Sequence, residues 1–131
     1  MNDEVFETLI ESARAVREKA HAPYSGFRVG AAVLAESGTI YVGCNVENAS
    51  YGATLCAERA ALAGMIAAGE TRVLCVAVFS DGEEAVTPCG ICRQVIAEFG
   101  HSVDIVAATP AKSRRTTLDH LLPEPFVLRR G

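Results

Sequence analysis

Two apolar stretches in this chain each begin at a cysteine, and this most restricts what it can fold into. Cys56 opens CAERAALAGMIAAG, and Cys89 opens CGICRQVIAEFG. The first reads as a helix over roughly 55–68 stopped by Gly69, the second as a helix over about 89–99 between Pro88 and Gly100. Between them runs RVLCVAVFS, residues 72–80, apolar throughout, as a strand covered on both faces must be. Another strand candidate, VDIVAA, follows at 103–108. Two helices starting at the same edge of one sheet can bring their first residues together.

The N-terminal part completes a layered pattern. Phe6, Leu9, Ile10, Ala13, Val16 and Ala20 recur at three- and four-residue steps, one face of a helix over roughly 3–20 with Asn2 or Asp3 as cap. The turn Ala22-Pro23-Tyr24-Ser25-Gly26 leads to strand candidates at 27–36 and 39–46, joined through Ser37-Gly38 as a hairpin. The order α-β-β-α-β-α-β plus a tail predicts a mixed sheet with helices on both faces, a three-layer α/β architecture. The tail, with LDHLLP and PFVL, is expected to hold a short helical turn and an irregular end. A single domain over 1–131 is expected, since no repeat or linker interrupts the 131 residues.

Half the residues are apolar and the net charge is -4, against a dedicated nucleic-acid binder with its basic stripe. No apolar run approaches the ~20 residues that cross a bilayer. The N-terminus lacks the basic start and apolar core of a signal peptide. These features predict a soluble, cytoplasmic protein acting on neither nucleic acid polymer nor membrane. The cysteine count of five is odd, and a reducing compartment disfavours disulfides.

Cys89-Gly90-Ile91-Cys92 is a C-x-x-C unit, by itself open between a zinc half-site and a thioredoxin-like redox pair. The redox reading gives no reason for a third cysteine beside a glutamate, which Cys56-Ala57-Glu58 supplies. Helix starts favour thiolates, and three thiolates on Zn²⁺ leave a fourth position open, the mark of a catalytic zinc site. A closed structural site would need a fourth ligand, and His21, His101 and His120 lack conventional spacing to the cysteines. Glu58 could shuttle protons between an activated water and a substrate. Cys56-x-Glu58 followed by Pro88-Cys-x-x-Cys92 matches the zinc deaminase signature, where the glutamate is acid/base and not a ligand. Cys44 and Cys75, mid-strand among apolar neighbours, are expected to be buried core thiols.

Through APYSGFRVGAAV at 22–33, NVENASYG at 45–52, CAER at 56–59, PCGICRQV at 88–95 and LLP followed by Phe126, the chain resembles the cytidine deaminase family, in its short, homotetrameric, all-cysteine zinc branch. The resemblance implies a three-layer α/β/α fold around a mixed sheet of about five strands. It implies hydrolytic deamination of cytidine and 2′-deoxycytidine, with one zinc per subunit held by Cys56, Cys89 and Cys92 and with Glu58 moving protons at N3 and the amino group. By position, Phe27 would pack on the base, and Asn45 and Glu47 would bind the ribose. The Ala57 backbone and a carbonyl near Cys89 would read the base edge. Ala49 and Tyr51 from one neighbour and Phe126 from another would complete each pocket, with Tyr24 close by.

Three thiolates leave zinc with a local charge of -1, so a guanidinium at the sulfurs would restore its Lewis acidity. Arg59 matches the family's arginine in this role, and Arg93 is a second candidate. Three other functions compete. A deaminase of another aminopyrimidine such as blasticidin S would share CAE and PCGxCRQ, but Asn45 and Glu47 suit a free ribose. A structural zinc module leaves Glu58 unexplained, and a polynucleotide deaminase sits poorly with the acidic balance.

Overall fold

The computed structural model describes residues 1–129. Asn2 caps the first helix, its side-chain oxygen accepting from the Val5 amide at 3.0 Å. That helix, α1, spans Asp3–Arg17, with Asp3 and Glu4 in its first turn and Arg14 and Arg17 in its last, each sign matched to the helix dipole. It stops three residues short of the periodic pattern, because Lys19 and Ala20 turn back onto the Val16 and Arg17 carbonyls.

Strands β1 (Val29–Ala35) and β2 (Ile40–Cys44) form the expected antiparallel hairpin, turning at Gly38, whose φ of +93° suits glycine. A 3₁₀ turn at Tyr51–Ala53 precedes α2 (Ala57–Ala67). Strand β3 (Val73–Ser80) follows, then α3 (Gly90–Ala97), β4 (Asp104–Ala108), β5 (Ser113–Thr117) and the short α4 (Leu118–Leu121). The sheet order is β2-β1-β3-β4-β5, with β3–β4 parallel and every other pair antiparallel. Apolar β3 is indeed the central strand.

Helix α1 covers one face, its Phe6, Leu9 and Ala13 packing on Ala32, Cys75, Ala77 and Val106. On the other face Ala61, Leu62 and Met65 of α2, Ile96 of α3 and Leu118 of α4 pack on Ala31, Val33, Val76 and Ile105. This is the expected three-layer α/β/α fold. Gly30 and Gly43 bring the layers close. A Cβ on Gly30 would collide with the Ala13 carbonyl of α1, and one on Gly43 would meet the Ala61 amide and, at 2.7 Å, the Ala57 carbonyl of α2. The start of α2 is thereby seated directly on β2.

The sheet has the five strands that the resemblance implies, but the sequence pattern did not locate the fifth, β5. Its sequence, SRRTT, carries no apolar alternation; it is an exposed edge held by backbone pairing to β4. Arg115 within it lies 4.3 Å over the Phe6 ring and pairs with Asp3 at 2.7 Å. Cys75 is fully buried as expected, but Cys44, on edge strand β2, is only half-buried. Among the described residues no helix is long and apolar enough to cross a membrane.

Candidate active site

Cys56 and Cys89 are the N-cap residues of α2 and α3, and neither side chain caps its own helix. Both thiols therefore stay free, each at the positive end of a helix. Cys92 lies in the first turn of α3. The three sulfurs lie within 4.8 Å of one another, and all five cysteines of the chain are free thiols. Tetrahedral zinc with Zn–S bonds of about 2.3 Å needs sulfurs this close, so the donor set fits that ion in number, type and spacing. Among the described residues the remaining cysteines stand apart from the cluster, and no histidine joins it.

The thiols are electrostatically biased. A hydrogen bond from the Cys92 thiol, followed by one from Arg59, brings Cys56 down to about 5, while the same shared proton and burial push Cys92 up. Arg59 donates through Nη2 to the Cys56 sulfur at 3.5 Å and to the Thr54 carbonyl at 3.2 Å. Arg93 is differently engaged. Its Nε donates to the Pro88 carbonyl at 2.6 Å, Nη1 to the Leu121 carbonyl at 3.0 Å and Nη2 to the Thr87 hydroxyl at 3.1 Å. With its hydrogen bonds going to oxygens, Arg93 braces the loop before α3 instead of touching the sulfurs.

Glu58, the second residue of α2, is 5% exposed. Burial pushes its carboxyl up to about 7, and the Cys56 thiolate adds to the shift. It lines a cavity of about 220 Å³ together with Cys56, Cys89, Phe27 and Asn45. Ser80, at the end of β3, also lines this cavity; its hydroxyl is buried and has no hydrogen-bond partner among the described residues. Nothing in the sequence pattern singled out Ser80, Thr54 or Thr87, because lone hydroxyl residues at strand ends and loops carry no spacing signal.

The sugar-binding candidates are already held in place. Asn45 accepts at Oδ1 from the Val29 amide at 2.9 Å and donates from Nδ2 to the Phe27 carbonyl at 2.8 Å, fixing the backbone on both sides of Arg28. Glu47 accepts from the Tyr24 amide at 2.9 Å, the Ser25 amide at 3.1 Å and the Ser25 hydroxyl. These bonds, the hydroxyl foremost, hold its carboxyl below the usual range. Tyr24 meets Tyr51 edge-to-face at 6.3 Å in a separate depression that Glu47 also lines. Ala49, Tyr51 and Phe126 do not line the cavity of their own chain, and the last two rings are 77% and 70% exposed.

Known proteins resemble this chain along most of its length. A family model described as the cytidine and deoxycytidylate deaminase zinc-binding region matches residues 3–109. A cytidine deaminase of Sporosarcina psychrophila is 48% identical over 122 residues, 92% of this chain and 90% of that protein. One from Mycobacterium tuberculosis is 41% identical across 98% of this chain and 94% of its own length. The 1.6 Å crystal structure of cytidine deaminase from Burkholderia pseudomallei superposes with a TM-score of 0.88 at 44% identity, covering 96% of this chain and all of that one.

Proposed function

The chain belongs to the cytidine and deoxycytidylate deaminase family, and from that premise we propose how its site works. It is a zinc-dependent hydrolase that converts cytidine and 2′-deoxycytidine to uridine and 2′-deoxyuridine with release of ammonia, a pyrimidine-salvage reaction. The observation that carries this reading is the convergence of three free thiols and one buried carboxyl at the starts of two helices.

Cys56, Cys89 and Cys92 hold the zinc, which when bound supplies the Lewis acidity that activates water for attack on C4 of the pyrimidine. Arg59 keeps the sulfurs from neutralising that acidity by donating to Cys56. Glu58, titrating near 7, can both take and return a proton at neutral pH. It takes the proton of the attacking water, delivers it to N3 and transfers one to the departing amino group, so that water and cytidine balance uridine and ammonia. The Ala57 amide opens α2 without a partner inside the helix and is free to donate to the base edge.

Phe27 packs on the base from a backbone that Asn45 immobilises. Asn45 still has a second Nδ2 hydrogen for a sugar hydroxyl, and Glu47 has used three of about four lone-pair sites, leaving one to accept from another. Both residues are thus preorganised for a ribose. Ala49, Tyr51 and Phe126 complete the pockets of neighbouring subunits in a homotetramer, a role supported by the exposure of the two rings. Five free thiols suit the reducing cytoplasm.

The test is metal analysis coupled to an absorbance assay of cytidine-to-uridine conversion, with blasticidin S as an alternative substrate. Stoichiometric zinc with turnover of cytidine and not of blasticidin S is expected. Turnover confined to blasticidin S, or undiminished in metal-free protein, overturns the reading.

A further inference from the structure

Gln94, two residues after Cys92 on α3, faces the C-terminal segment. Its side-chain amide makes two complementary bonds to one residue. Nε2 donates to the Phe126 carbonyl at 2.8 Å, and the Phe126 amide donates to Oε1 at 3.0 Å. A side chain here does what a neighbouring β-strand would do. Arg93 beside it holds the carbonyl of Leu121, the last residue of α4, so consecutive residues of α3 hold the end of α4 and the segment after it.

The clamp fixes a backbone whose side chains are in water. Phe126, Val127 and Leu128 are 70%, 74% and 80% exposed. Burial on its own chain therefore contributes little to holding Phe126, since hydrophobic stabilisation scales with area removed from water. A residue tied down through its main chain while its ring projects outward is being presented to something else.

We infer that Gln94 is a positioning residue, clamping the Phe126 main chain so that the ring reaches the pocket of a second copy of this chain. The inference rests on the reading above in which Phe126 completes a neighbouring subunit's site. Glutamine suits the task because its terminal amide offers a donor and an acceptor in one plane. Ionised glutamate keeps the size but only accepts, and it would face the Phe126 carbonyl with like polarity. Leucine keeps the volume and does neither.

The experiment compares zinc-loaded wild type with Gln94→Leu, Gln94→Glu, Phe126→Ala and the double variant Gln94→Leu/Phe126→Ala. It reads KM and kcat for cytidine, bound zinc, mass in solution and hydrogen exchange at the Phe126 amide. Losing the clamp should raise KM in both Gln94 variants, roughly fivefold for each hydrogen bond lost and so further in Gln94→Leu, which loses both, than in Gln94→Glu, which keeps the acceptor, with kcat, zinc and mass unchanged. Exchange at Phe126 should accelerate. Phe126→Ala should raise KM at least as far, and the double variant should be no worse than Phe126→Ala alone, as for two residues acting through one contact.

Additive losses in the double variant, a fall in kcat or zinc in Gln94→Leu, or unaltered exchange at Phe126 overturns the clamp. So does wild-type KM in both Gln94 variants while Phe126→Ala is impaired, which leaves the shared-pocket reading standing. Wild-type KM in Phe126→Ala removes that reading instead and takes the inference with it; the exchange data still report whether the clamp exists.

Discussion

Arg59 donates to the sulfur of Cys56 from one turn further along the same helix, at 3.5 Å. The contact places a permanent cation on the thiol proposed to hold zinc as a thiolate. Arg59→Gln should therefore weaken zinc retention about tenfold or more, the usual range for groups that orient metal ligands. Competition against a chromogenic chelator measures it; unchanged retention and kinetics would remove Arg59 from this role.

Glu58→Gln should bind zinc as the wild type does, since the carboxyl is not among the clustered ligands. Its kcat should fall by about 10²–10⁴, the contribution of a positioned proton carrier. Full turnover in a zinc-replete variant would exclude proton transfer by Glu58.

Gly43→Ala should destabilise the fold by an amount at the upper end of the about 1–3 kcal/mol range for overpacking, because backbone atoms of α2 occupy the space a methyl needs. Thermal unfolding of the zinc-loaded protein reads this directly. A melting temperature equal to the wild type would mean that α2 shifts freely on β2.

Thiol reactivity should sort the five cysteines. Burial pushes Cys75 up to about 12, so it should resist thiol reagents until the protein unfolds. Cys44, half-buried on an edge strand, should react in the zinc-loaded protein, and a chelator should release Cys56 and the exposed Cys89. Mass spectrometry of the modified sites checks the order; early labelling of Cys75 contradicts it.

Glu47 carries a pH signature. Its folded carboxyl sits below the ordinary value, chiefly through the Ser25 hydroxyl, so its ionised form is the one the fold favours. The stabilisation is complete above the unfolded value and fades as pH falls through the folded one. Glu47→Gln should be less stable than wild type at neutral pH, and the gap should close below about pH 4. Melting temperatures of both proteins across that interval test the sign.

The helices, the hairpin and the central strand were legible because each shows periodicity, an apolar run or a stop signal. Strand β5 was hidden because an exposed edge strand needs no apolar face; Ser113–Thr117 becomes a strand only by pairing with β4. At the site, the three clustered thiols and Glu58 followed from spacing at helix starts. Spacing carried no information on Asn45 and Glu47 as braces of the 24–29 backbone, since those bonds depend on how a turn folds back. Arg93 shows the same limit. Adjacency to Cys92 suggested a role at the sulfurs, but rotation along α3 turns its guanidinium toward Pro88 and Leu121.

The contact between Gly43 and α2 has an evolutionary side. Where a helix is spaced from a sheet by side chains, any enlargement or trimming of them moves the helix, and drift in the hydrophobic layer would carry the attached ligand with it. Here the spacer at the critical point is a hydrogen atom, against the Ala57 and Ala61 main chain and the Ala60 methyl. Core residues elsewhere in the layer can therefore change without moving the start of α2, provided that position 43 carries no side-chain carbon.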